Sequence, residues 1–146
     1  MNIQPDFEEF LGLLEKHQVD YMIVGGYAVA FHGHPRFTKD IDIYFAVDRD
    51  NIAKIKSVLI EFGYCKDSLT DDLFINERNV ITLGVEPNRI DLMNNIDGMT
   101  FEEARANVVK GKYGKFKVIF IGLKDLIRNK QSTKRTKDKA DAEELI

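Results

Sequence analysis

The sequence has 146 residues, 44% of them hydrophobic and 31% charged, with a formal net charge of -3. That is enough chain for one packed core, too apolar for a disordered segment and too weakly charged overall to coat a nucleic acid. No run of about 20 apolar residues occurs, which argues against a membrane-spanning helix. MNIQPDFEEF lacks the basic-then-apolar order of a signal peptide, and the single Cys65 has no internal partner, so a cytoplasmic protein is expected.

In chain order, FEEFLGLLEKH (7–17) spaces Phe7, Phe10, Leu11 and Leu14 as one apolar helix face, with Pro5 near its start. YMIV (21–24) reads as a short strand bounded by Gly25 and Gly26, and YAVAFHG (27–33) as a short helix. HPRFTK is a loop, and DIDIYFAV (40–47) alternates as a strand does. Asp48 can cap a helix whose inner face is Ile52, Ile55, Leu59 and Phe62. Residues 63–72 read as a polar loop, and 72–85 as two short strands around a turn at Glu77–Asn79. Pro87-Asn88 marks another turn. In RIDLMN (89–94), Ile90 and Leu92 face one way and Arg89, Asp91 and Met93 the other. TFEEARANV (100–108) opens with a Thr-x-x-Glu capping box, FKVIFI (116–121) is a strand, and GLKDLIRNK leads to a last helix from about Lys137. The expected architecture is a single α/β (α+β) domain over 1–146. It has a mixed sheet with helices packed on it, a core over about 20–121 and helices over about 122–146.

Three carboxylates stand out. Asp40 and Asp42 share a face of one strand, and Asp91 is a lone acid in another apolar strand. Ionised aspartates this close repel, which is relieved by protonation or by a cation, and hard divalent ions such as Mg²⁺ prefer oxygen ligands. The alternative is an edge strand with solvated acids; strands disfavour Asp, which weighs against three such cases in two strands. Gly25-Gly26 is either a tight turn or a place where phosphate approaches the backbone. Leu123, Leu126, Ile127 and Lys130 fall on one helical face, so Lys130 either snorkels, complements the helix end or meets phosphate. Arg36, Thr38 and Lys39 flank the acids as phosphate contacts or, for Arg36 and Thr38, as loop stabilisers. His32 and His34, with no third ligand nearby, read as structural or substrate-contacting. RNKQSTKRTKDK (128–139), with six Lys or Arg and one Asp, suits a phosphate-bearing ligand.

These residues resemble the nucleotidyltransferase superfamily that includes DNA polymerase beta. The shared pattern is an apolar strand, Gly-Gly, a short interval and Asp-hydrophobic-Asp-hydrophobic. Here Val24-Gly25-Gly26 is followed after thirteen residues by Asp40-Ile41-Asp42-Ile43, with a later RIDL. The wider string, with FEEA and LIRNK, resembles small bacterial nucleotidyltransferase-like proteins, some of whose relatives are toxins of abortive-infection toxin–antitoxin systems. The resemblance implies transfer of a nucleoside monophosphate from ATP or another NTP to an acceptor. Asp40, Asp42 and Asp91 would bind two Mg²⁺ ions, Asp91 also helping to deprotonate the acceptor. Gly25 and Gly26 would contact the triphosphate and Lys130 neutralise it. Many relatives carry a large C-terminal domain for base and acceptor, where this chain has two short helices. The acceptor, a small molecule, RNA or protein, would then be held across a homodimer, by a partner protein or by the segment around Lys134, Arg135 and Lys137. Two other readings stay open: a non-catalytic nucleotide-binding or protein-interaction member of the same fold, and a glycosyltransferase with a metal-binding Asp-x-Asp. The enzymatic reading requires Asp91 to lie beside Asp40 and Asp42 on the same side of the sheet.

Overall fold

A computed structural model describes residues 3–35, 38–85 and 88–146. Arg36 and Pro87, singled out above as a phosphate contact and a turn residue, lie outside the described residues. The elements in order are α1 (Pro5–Lys16), β1 (Tyr21–Val24), α2 (Gly25–Phe31), β2 (Ile41–Phe45), α3 (Arg49–Phe62), α4 (Asp71–Ile75), β3 (Val80–Leu83), β4 (Ile90–Met93), α5 (Phe101–Arg105), β5 (Val109–Tyr113), β6 (Phe116–Phe120), α6 (Leu123–Ser132) and α7 (Thr136–Leu145). The strands form one mixed sheet in the order β3-β4-β2-β1-β6-β5. β1 runs antiparallel to β2, which runs parallel to β4, and β1 pairs in parallel with β6.

One face of the sheet carries Ile23, Ile41, Ile43, Phe45, Ile90 and Leu92, all buried. Helices α1, α3 and α4 supply the aromatic cover. Phe10 meets Phe62 edge-on at 5.1 Å, Phe7 meets Tyr27 at 5.9 Å, and Phe45 meets Phe74 at 6.2 Å. Alternation puts the intervening residues of β2 and β4, Asp42, Tyr44, Asp91 and Met93, on the other face. There Tyr44 packs edge-on against Phe101 of α5 at 5.1 Å. The sheet thus has a thick apolar side and a side that keeps its acids.

Local chemistry explains most boundaries. Asp48 accepts from the Asn51 amide at 2.8 Å and starts α3. Thr100 and Glu103 exchange their capping-box bonds at 3.0 and 3.2 Å and start α5. Buried Asn51 ties α3 to the ends of β1 and β2. Its amide donates to the Asp20 and Ala46 carbonyls at 3.0 and 2.8 Å, and its oxygen accepts from the Asp20 amide at 2.7 Å.

The structure departs from the sequence reading at four places. The stretch expected as the first strand of 72–85 is instead helix α4, started by Thr70 with Asp71 and Asp72 in its first turn, where acids favour a helix. Its buried Phe74 fills the core from a helix rather than a strand. The helix expected over 100–108 stops at Arg105, and 109–113 is an edge strand, β5, joined to β6 by a two-residue turn with Gly114 at φ +58°. Strand β2 begins at Ile41, so Asp40 precedes it rather than opening it. Gly25 and Gly26 are the first residues of α2, not a turn ahead of it.

Candidate active site

The register across the sheet assembles the site. Val24 of β1 pairs with Asp42 of β2, Asp42 with Asp91 of β4, and Asp91 with Thr82 of β3. Paired residues on adjacent strands project to the same face. Asp42 and Asp91, far apart in sequence, are therefore cross-strand neighbours on the side where Asp40 also lines the cleft.

Gly25 stands over this pair. Its φ is +68°, and a side chain there would meet the Asp42 Oδ2 at 2.2 Å. Both the backbone conformation and the space demand glycine. The carboxylate is thereby pressed against the β1–α2 junction.

A cleft of about 470 Å³ opens above, lined by Gly25, Gly26, Thr38, Lys39, Asp40, Asp42, Arg89, Asp91, Lys130, Arg135, Lys137 and Asp138. Acids form its floor and cations most of its rim. Of the residues expected at the site, Gly25, Gly26, Thr38, Asp40, Asp42, Asp91 and Lys130 all come together here. The histidines do not: the His32 ring bonds the Ile121 carbonyl oxygen at 2.8 Å and packs on Phe31, a structural role.

Asp42 pays for its position. Burial, then the charge of Asp91, push its carboxyl up to about 6, against the opposing pull of Lys130. A carboxylate so destabilised gains from any cation brought to it.

Arg89 is the residue the sequence reading passed over. Its Nε donates to Asp91 Oδ1 and Oδ2 at 3.0 and 3.3 Å, and a second guanidinium nitrogen reaches Asp91 Oδ2 at 3.1 Å and Asp40 Oδ2 at 3.2 Å. Its backbone amide donates to Asp40 Oδ1 at 3.1 Å. The signal was present in RIDL, since positions 89 and 91 share a strand face, but which acid the guanidinium would choose depended on the pairing of β2 with β4.

Lys130 neither snorkels nor stands free. It is 6% exposed and reaches Asp138 at 3.0 Å and Asp141 at 3.4 Å, both buried on α7. Burial works against the Asp138 charge. Hydrogen bonds from Lys130 and Thr133 and the charges of Lys130 and Arg135 outweigh it and hold that carboxyl below its usual range. The lysine thus moors α7, with Arg135 and Lys137, to the cleft wall.

The donor set suits a hard divalent cation: every candidate ligand is a carboxylate oxygen, and Asp42 and Asp91 are in direct register. Among the described residues, however, no three His, Cys, Asp or Glu side chains are gathered as one ion would need. Arg89 engages both oxygens of Asp91 and one of Asp40. The donor chemistry fits a divalent ion, while the guanidinium occupies oxygens that the ion would use.

Fold and cleft together place the protein among the nucleotidyltransferase folds. The chain belongs to the family described as nucleotidyltransferases of unknown function (DUF6036), matching it over residues 3–146. Three solved structures share the fold. A Thermotoga maritima protein classed with the nucleotidyltransferases (TM1012) has a TM-score of 0.59 at 15% identity, over 99% of this chain and 92% of that one. The lincosamide antibiotic adenylyltransferase LnuA, in its lincomycin-bound form, gives 0.56 at 18% identity, over 99% and 98%. An antigenic nucleotidyltransferase-like protein of Paracoccidioides brasiliensis gives 0.53 at 13% identity, over 96% and 72%. At such identities the likeness is one of fold. No curated protein matches the chain in sequence. Among the described residues no helix is long and apolar enough to cross a membrane.

Proposed function

We propose that the protein transfers a nucleoside monophosphate from an NTP to a hydroxyl of an acceptor, releasing pyrophosphate. The observation that carries this reading is the register of Asp42 with Asp91 directly beneath Gly25, inside a cleft rimmed with cations. Asp40, Asp42 and Asp91 would hold Mg²⁺, which would neutralise charge on the reacting phosphate and on the leaving oxygen.

The chain's own groups do the rest. Gly25 and Gly26 let the triphosphate approach the backbone without side chains in the way. Lys39, Arg135 and Lys137 on the rim draw the polyphosphate in and hold it. Lys130, already paired with α7, contributes its field rather than a free ammonium, and that field holds down the Asp42 carboxyl. Asp91, beside Asp42 in the cleft lining, would accept the proton of the acceptor hydroxyl as the oxygen attacks the α-phosphorus. Positioning and electrostatics supply most of the rate, as expected for phosphoryl chemistry.

LnuA is a lincosamide antibiotic adenylyltransferase. A small molecule is accordingly the first acceptor to try here, followed by RNA and protein. A role in a toxin–antitoxin pair would make the acceptor a cellular RNA or protein.

The test uses each NTP labelled at the α-phosphate, with Mg²⁺ and the three acceptor classes. Transfer of label by the wild type and its loss in Asp42→Asn and Asp91→Asn is the expected result. Absence of label on every acceptor, with no difference between wild type and variants, refutes the reading.

One observation favours a second reading, nucleotide binding without turnover: Arg89 already satisfies two of the three acids. Calorimetry showing NTP binding with no labelled product would support it.

A further inference from the structure

The acid cluster carries its own counter-ion. Arg89 is a forked, permanently charged group, and it spans the two acids that flank Asp42 in space. Its side chain is 34% exposed, against 22% for Asp40 and 11% for Asp91, so it is the most solvent-accessible of the three. Its backbone amide also fixes Asp40 from the other side.

Such an arrangement has two consequences. The guanidinium offsets the charge of Asp40 and Asp91. A divalent ion drawn to the same carboxylates would be repelled by that guanidinium, since like charges so close weaken each other's binding. The two cations compete for the same acids.

We propose, building on the nucleotidyltransferase reading above, that Arg89 is a displaceable internal cation. It holds Asp40 and Asp91 in the metal-free protein and yields them to the divalent ion, and the nucleotide assists by offering its phosphates as the new partner for Arg89. Arg89 lines the same cleft as Gly25, Gly26 and Lys39, so a polyphosphate seated there lies within the volume its side chain can sweep. Metal and nucleotide therefore bind cooperatively, and the metal alone binds weakly. The coupling is reciprocal by thermodynamic necessity. Arg89 is a positioning residue: it acts on the acids, and through them on the site.

The test titrates the full chain with Mn²⁺, following free ion by electron paramagnetic resonance. A second titration uses a non-hydrolysable, fluorescent ATP analogue with and without Mn²⁺. Arg89→Gln keeps polarity and length but removes the charge. It is expected to bind Mn²⁺ at least about tenfold more tightly than the wild type in the absence of nucleotide, the loss of charge-assisted bonds to Asp40 and Asp91 setting the scale. It is also expected to show a smaller enhancement of analogue binding by Mn²⁺. Arg89→Lys, whose compact ammonium cannot span both carboxylates, falls between the two and serves if Arg89→Gln does not fold by circular dichroism. Equal or weaker Mn²⁺ affinity in Arg89→Gln, with binding intact in the wild type, overturns the role of Arg89 and leaves the transferase reading standing. No Mn²⁺ binding in any of the three proteins overturns both.

Discussion

Replacing Asp42 by Asn keeps the size of the side chain and removes its charge from the floor of the cleft. The Asp42 carboxyl titrates at about 6, where an ordinary aspartate titrates at 3.8. At about 1.4 kcal/mol per pH unit, ionising it costs the folded protein about 3 kcal/mol relative to the unfolded chain. The sign follows from which state holds the proton. Below pH 3.8 both states are protonated and the cost is absent. As pH rises toward 6, the unfolded chain gives up its proton first, the folded state binds more protons, and stability falls; above about 6 the full cost remains. Asn escapes it. In chelator, urea denaturation is therefore expected to show Asp42→Asn more stable than the wild type by about 1–3 kcal/mol at pH 7.5. The gap should close as pH falls toward 4, while nucleotidyl transfer is lost in the variant. Excess Mg²⁺ should narrow the gap by stabilising only the wild type. A variant no more stable than the wild type at pH 7.5, or a gap indifferent to pH, would show that Asp42 is not the strained acid described here.

Other perturbations read different parts of the same framework. Gly25→Ala forces an L side chain to φ +68° and against Asp42, and it should cost about 1–3 kcal/mol in urea denaturation and lower transfer as well. Lys130→Met leaves Asp138 and Asp141 facing each other without their shared cation. A loss of about 3–5 kcal/mol is expected, read as a lower thermal midpoint, and Asp138→Asn should cost less. Asn51→Ala strips the buried bonds to Asp20 and Ala46 and should lower the urea midpoint by an amount worth about 2–4 kcal/mol. No change in that midpoint would place the stability of the α3 junction elsewhere.

How much of this was readable from the chain depended on the range of the interaction. Helix α1, strand β2 and both capped helix starts are written in local spacing, and the Gly-Gly to Asp-x-Asp interval pointed to the cleft. Strand β5 escaped because Val109, Lys110 and Lys112 are exposed and Gly111 breaks the alternation. Only its pairing with β6 makes it a strand, and Tyr113-Gly114-Lys115-Phe116 was the turn signal that marked it. Helix α4 was misread because Leu73, Phe74 and Ile75 form an apolar run too short to show a period. The Thr70-Asp71-Asp72 start was the better guide. The partners of Lys130 lie on the following helix, across a helix–helix corner that no local pattern fixes, and Arg89 needed the β2–β4 register before its fork had two acids to hold.

The anchorage of Lys130 has a practical bearing on how the protein is handled. Because α7 is clamped through a buried ammonium as well as by its buried Ala142 and Leu145, one flank of the cleft belongs to this helix. A version trimmed before Arg135 would keep all three aspartates and the glycine pair yet strand the ammonium and forfeit two cations of the rim, Arg135 and Lys137.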